Sequence, residues 1–305
     1  MSAGEGIFKN SVRLSSLLLI LVFVGILVTL LAYSIPAIRA FGAEFITSSE
    51  WNPVTKQFGA WPPIVGTVVS SLVALVIAVP VSFGIAVFIN EVAPRSIRGI
   101  VARAVELMAG IPSIIYGMWG LFVLAPYMAL HIQPAMIDVF ADIPVLNKLF
   151  GGAPTGVGML SAGLILALMV IPLISSVMRD VISTVPPQLK EAAYAVSATR
   201  WEVVRHILLP HSGVGLMGAI ILGFGRALGE TMAVTFVIGN AHQLSESLFM
   251  PSTTISATIA NEFSEATGTL YRSALMEMGL ILFLMTFLML AASRFLITLT
   301  KSRQS

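Results

Sequence analysis

Six stretches of this chain stay apolar for about 20 residues, the length needed to cross the hydrocarbon core of a bilayer as a helix. They lie near 14–35, 64–90, 104–127, 157–178, 213–238 and 274–298. Inside lipid a backbone has no water to bond, so each stretch must satisfy its own N–H and C=O groups, and helices do so. The sequence therefore reads as an all-α membrane protein of six transmembrane helices, a single domain over residues 1–305. Composition agrees: 57% hydrophobic residues, 10% charged residues and a mean hydropathy of +0.94 exclude a soluble domain of this size. A further span at 128–150 is the main competitor, but Asp138, Asp142 and Pro144 interrupt it. The first run, behind Lys9 and Arg13, is longer than a signal-peptide core and reads as a retained anchor.

Orientation follows from Lys and Arg, which concentrate in cytoplasmic connections. Alternate connections hold Lys9 and Arg13; Arg95, Arg98 and Arg103; Arg179, Lys190, Arg200 and Arg205; and Arg294, Lys301 and Arg303. The opposite side holds only Arg39, Lys56, Lys148 and Arg272. Both termini are therefore expected in the cytoplasm. Trp51 and Trp61 fit the headgroup level on the outer side, and 251–266 reads as a short amphipathic helix or a re-entrant piece. Basic residues scattered at span ends form no nucleic-acid patch. Cysteine is absent, the four histidines lack metal-ligand spacing, and neither a G-x-S-x-G turn nor a P-loop occurs, so no catalytic centre is expected.

Within the fifth run, GFGRALGETMAVTFVIGN (223–240), Arg226 and Glu230 stand where a charge costs about 2.5–3.5 kcal/mol on insertion scales. Four residues apart on a helix, they can pair. Two roles remain open: a structural ion pair locking this helix to a partner, or part of a hydrophilic path with Thr231 and Thr235. Gly218, Gly225 and Gly229 share a face, and Gly225-x-x-x-Gly229 allows another helix close approach. Glu106 and Glu277 read as path residues or as interfacial partners of Arg103 and Arg272, with a membrane-boundary pair the favoured reading for Glu106. Pro80, Pro112 and Pro172 mark kinks in the second, third and fourth runs.

The longest inside connection, 179–212, reads RDVISTVPPQLKEAAYAVSATRWEVVRHILLPHS. Pro186 and Pro187 open a short helix through Ala195. Thr199 and Glu202 have capping-box spacing, starting a second helix that stops before Pro210. Tyr194, Trp201, Val204, Ile207 and Leu208 are too apolar for a solvated turn. They are covered either by this chain's own helix ends or by a cytoplasmic partner.

The pattern EAA, three residues, a small residue, nine residues, then I-x-LP is similar to the EAA loop of permease subunits in binding-protein-dependent ABC importers. The matching positions are Glu191, Ala192, Ala193, Ser197, Ile207, Leu209 and Pro210, with serine where the family pattern usually has glycine. The stretches VPVSFGIAVFINE (79–91), IPSIIYGMWGLFV (111–123) and LGFGRALGETMAVTFVIGN (222–240) further resemble the permease of the phosphate-specific importer. The resemblance implies a type I permease fold with half of a translocation pore. It implies that inorganic phosphate arrives from an extracytoplasmic binding protein and passes along Arg226, Glu230, Thr231 and Thr235. Its implied partners are a related second permease, two cytoplasmic ATPases that hold ATP and Mg and dock on the EAA loop, and the lipids of a bacterial inner membrane. This chain itself would bind no cofactor. Permeases for molybdate or sulfate, and secondary transporters, are the rival readings.

Overall fold

The computed structural model describes residues 3–302. Arg303, used in the orientation expectation, lies outside that range, and the side chain of Lys301 is likewise not described. Among the described residues, six helices are long and apolar enough to cross a membrane: Phe8–Phe41, Trp61–Val92, Ser113–Phe140, Met159–Ser183, Arg200–Leu228 and Thr269–Phe295, here spans one to six. With an even number of spans, both ends of the chain lie on the face that carries the connection between spans four and five. We call this the loop face. The opposite face carries a small antiparallel hairpin pairing Trp51 with Phe58.

Span four is the centre. Its small and branched residues Ala162, Ile165, Ala167, Val170, Ile174 and Met178 are buried against spans two and five. Contact is closest at glycines: a Cβ on Gly163 would fall 2.4 Å from Val73, one on Gly215 2.5 Å from Val181, and one on Gly223 2.4 Å from Ile174. Removing the side chain lets backbones approach, which in lipid replaces the hydrophobic drive that water would supply. Spans one and six pair around a second core, and span six also touches span five. There the Ser273 hydroxyl donates to Tyr33 O and accepts from Ala37 N–H, bridging an opened turn beside Pro36. A side chain inserted into the helical ladder in this way bends it.

One local rule explains most irregularities. Four wide turns, Phe88–Val92, Gly120–Leu124, Met128–Ile132 and Val204–Leu208, each end two residues before a proline: Pro94, Pro126, Pro134 and Pro210. In each, the residue before the proline donates five residues back, as Leu209 N–H does to Val204 O and Ala93 N–H to Phe88 O. Proline has no N–H and its ring collides with the carbonyl four residues earlier. One π-helical turn widens the helix there and absorbs the clash.

That rule corrects two sequence expectations. The helix expected to stop before Pro210 instead runs through it into span five. The third span occupies Ser113–Phe140 rather than 104–127, because Pro126 and Pro134 are each accommodated by a π turn. The break falls earlier, at Gly110–Pro112, and Pro112 caps span three rather than kinking it. Residues Arg95–Ala109 form a separate amphipathic helix on the loop face. Pro80 and Pro172 lie inside unbroken helices.

On the hairpin face, 251–254 runs extended and folds back against span two so tightly that a Cβ on Gly66 would meet Thr253 O at 1.9 Å. The helix Ile255–Glu262 follows, with Ile255 N–H held by Thr67 Oγ1 at 3.0 Å. Ser252–Thr258 is buried against the rest of the chain, whereas Ala260, Phe263, Ser264 and Glu265 are exposed.

Candidate functional site

Two regions carry the residues singled out in the sequence. In the first, span five ends at Leu228, one residue before Gly229, and a short helix resumes at Met232–Val237. Arg226 lies in the last turn before this break and Glu230 inside it. The break therefore corrects the expectation of a pair on one continuous helix face: no ion pair joins Arg226 to Glu230 among the described residues. Arg226 is exposed and Glu230 half-buried. A guanidinium at a helix C-terminus is favoured by the carbonyl end of the dipole, and its five donors remain available for a planar, bidentate acceptor. The threonines offer less, since Thr235 Oγ1 donates to Thr231 O at 2.9 Å and Thr231 Oγ1 to Gly229 O at 3.4 Å. Their hydroxyl protons serve their own backbone.

The glycine face divides. A Cβ on Gly218 or Gly225 would meet nothing within 4 Å, and one on Gly229 only the backbone of its own turn, so among the described residues no helix uses Gly225-x-x-x-Gly229. Packing to span four falls instead on Gly215 and Gly223. Arg226 thus stands beside a bare, small-residue surface of the chain.

In the second region, the loop between spans four and five folds as helix Pro187–Ala195, a turn, and a helix starting at Arg200. Both halves of the capping box form: Thr199 accepts from Glu202 N–H, and the Glu202 carboxylate accepts from Thr199 N–H at 2.7 Å and from its hydroxyl at 2.8 Å. Ser197 sits at φ 63°, left-handed, as expected where the family pattern has glycine. It closes a Schellman turn, with Ala198 N–H bonded to Ala193 O and Ser197 N–H to Tyr194 O.

The apolar residues of this loop split between the two covers considered above. Val203, Val204 and Leu208 are buried in the chain's own core, whereas Leu189, Tyr194, Val196 and Trp201 are 41–79% exposed. Glu191, Ala192 and Pro210 are exposed as well, while Ala193, Ile207 and Leu209 are half-buried.

Several polar contacts were not foreseen. Glu106 pairs with Arg179 at 2.9 Å rather than with Arg103. Glu277 is buried with one carboxylate oxygen unpartnered, while Arg272 donates to Ala266 O. Trp51 is held by partners within the chain. Its ring stacks on His242 with centroids 4.8 Å apart, and its indole N–H donates to Glu262 at 2.8 Å. Glu262 also receives the Tyr271 hydroxyl and His242 Nε2. Burial pushes the Glu262 carboxyl up, but the bonds from His242, Tyr271 and Trp51 outweigh it and leave it below its ordinary value. Trp51 lies 211 residues from Glu262, so no local spacing announces its place in this cluster. Among the described residues no cluster of His, Asp or Glu has metal-binding geometry.

Residues 78–303 match the family described as binding-protein-dependent transport system inner membrane component. The chain is 53% identical over 293 residues to the phosphate transport system permease protein PstC of Mesorhizobium japonicum, covering 96% of this chain and 90% of that one. It is 53% identical over 294 residues to the protein of the same name from Haemophilus influenzae, covering 96% and 93%. Among solved structures, a chain of a bacterial alginate ABC transporter in complex with its periplasmic protein superposes with a TM-score of 0.61 at 17% identity, covering 95% of both chains.

Proposed function

This chain belongs to the family of binding-protein-dependent transport system inner membrane components, and we infer from that premise that it is the permease subunit of an ATP-driven importer of inorganic phosphate. It is a multi-pass inner-membrane protein with the fold of type I importer permeases, and a transport component rather than an enzyme. Relatives named as phosphate permeases over nearly the whole chain carry the choice of substrate.

The observation that carries the site is the guanidinium of Arg226 at the break of span five, exposed on a face that no helix among the described residues covers. A second, related permease packed on that glycine face would enclose Arg226 and Glu230 in the pore between the two subunits. There Arg226 attracts the oxyanion with paired donors. Glu230, which no longer neutralises it, repels the same charge and keeps the site weak enough to release. Thr231 and Thr235 line the path with oxygens rather than donors. The loop face is cytoplasmic, and the exposed set of Leu189, Tyr194, Val196 and Trp201, around Glu191 and Ala192, is the seat for an ATPase subunit. ATP and Mg belong to that partner, and an extracytoplasmic binding protein delivers phosphate to the hairpin face.

The test is radiolabelled phosphate uptake by the reconstituted complex, with molybdate and sulfate as competitors. Arg226→Gln is expected to lower uptake at least tenfold while all subunits still co-purify. Uptake near wild type in an assembled complex removes Arg226 from the path.

A further inference from the structure

The exposed coupling helix has few attachments to the rest of its own chain. No residue of Pro187–Ala195 is fully buried. Its one charged tie is the ammonium of Lys190, which meets Glu91 Oε1 at 2.5 Å, with the two side chains 19% and 7% exposed. Among the ion pairs of the described residues, Glu91 is the least exposed member.

Glu91 stands on the π turn Phe88–Val92 that ends span two ahead of Pro94. That turn is itself fixed. Asn90 Nδ2 donates to Arg179 O of span four at 3.1 Å and to Ala86 O at 3.1 Å. Asn90 O, the carbonyl that Pro94 leaves without a helical donor, receives Arg98 Nη2 at 3.1 Å. The end of span two is thus a junction where span four, the amphipathic helix Arg95–Ala109 and the coupling helix all attach.

We propose that Lys190 and Glu91 are positioning residues that deliver displacement of the coupling helix to span two. This inference rests on the reading of the loop as the ATPase seat. A movement of helix 187–195 has direct covalent routes into span four through 184–186 and into span five through 196–199, but none to span two. The Lys190–Glu91 pair supplies that missing route, placed where water and salt screen it little. Spans two and five both pack on span four, so a push on both would move the pair of helices that flank it together, whereas a push on span five alone would shear it against span four. Neither residue touches phosphate or ATP in this scheme. Their effect is on how hydrolysis and import are tied.

The experiment compares Glu91→Gln/Lys190→Met with the exchanged pair Glu91→Lys/Lys190→Glu in the full complex. Removing both charges avoids leaving one buried and alone. The readouts are co-purification of the ATPase, its hydrolysis rate with binding protein present, and phosphate imported per ATP hydrolysed. The neutral pair is expected to retain the ATPase and its hydrolysis but to import about tenfold less phosphate per ATP, and the exchanged pair to recover most of that ratio. A neutral pair with the wild-type ratio overturns the proposal. So does a neutral pair that cannot assemble, which would make the contact part of the fold alone, or an exchanged pair as uncoupled as the neutral one. A separate control keeps the two readings apart: if Leu189→Ser/Trp201→Ser leaves ATPase co-purification unchanged, the seat itself is wrong. If it removes the ATPase while the neutral pair imports normally, only the present inference fails.

Discussion

Gly223 and Gly225 stand two residues apart on span five, and their surroundings predict opposite outcomes for the same substitution. A Cβ at Gly223 would lie 2.4 Å from both Cδ1 and Cγ1 of Ile174, which is fully buried on span four. Carbon atoms rest about 3.5–4.0 Å apart, so Gly223→Ala must open this crossing by more than an ångström or force Ile174 off its rotamer. Overpacking of that kind costs about 1–3 kcal/mol. The usual gain from replacing a helical glycine offers little relief, because helices already exist in the membrane before they associate. At Gly225 a Cβ meets nothing within 4 Å, so Gly225→Ala should change the stability of this chain by no more than about 0.5 kcal/mol. The assay is reversible unfolding of the purified chain in mixed micelles at increasing dodecyl sulfate fraction. Gly223→Ala should shift the folded-to-unfolded ratio by about 5- to 150-fold, which is that same energy at RT, with Gly225→Ala close to wild type. In the assembled complex the order should change: Gly225→Leu, harmless to the isolated chain, should block pairing with a second permease. If Gly225→Ala destabilises the isolated chain as much as Gly223→Ala does, the assignment of the two glycine faces is wrong.

Two further outcomes follow from the termini of helices. Thr199→Ala removes the cap of the second loop helix and should cost about 1 kcal/mol locally, read as faster amide exchange across 199–204 without a change elsewhere. Glu262 has a folded-state value below its ordinary one, so its stabilising contribution is present above the ordinary glutamate range and fades as pH falls through the depressed folded value. Thermal stability of the wild-type chain should therefore fall more steeply in acid than that of Glu262→Gln. Equal slopes would remove Glu262 as the anchor for His242, Trp51 and Tyr271.

Hydrophobicity summed over about 20 residues is local, and so are helix caps and left-handed turn positions. That is why the six spans and the Thr199–Glu202 box could be read from residues in order, whereas the left-handed Ser197 was marked only by the glycine of the family pattern. The same locality made Arg226 visible as a charge in an apolar run. Its partner was misread because spacing four implies pairing only if the helix continues, and the break at Gly229–Thr231 depends on how the chain packs beyond it. The stacking partner of Trp51 is hidden from local reading in the same way, because His242 is 191 positions away.

By itself the sequence determined that this chain crosses a membrane six times, that the loop between spans four and five carries apolar residues without a local core, and that one arginine sits at an anomalous depth. Each of these depends on free energies that accumulate within one turn or one span. Only the tertiary structure decided which glycines are packed and which are bare, that Glu91 receives Lys190, and that π turns rather than helix ends precede the prolines. Those outcomes depend on which surfaces meet. Two glycines on one helix are equivalent in sequence until Ile174 fills the space beside one and leaves the other open.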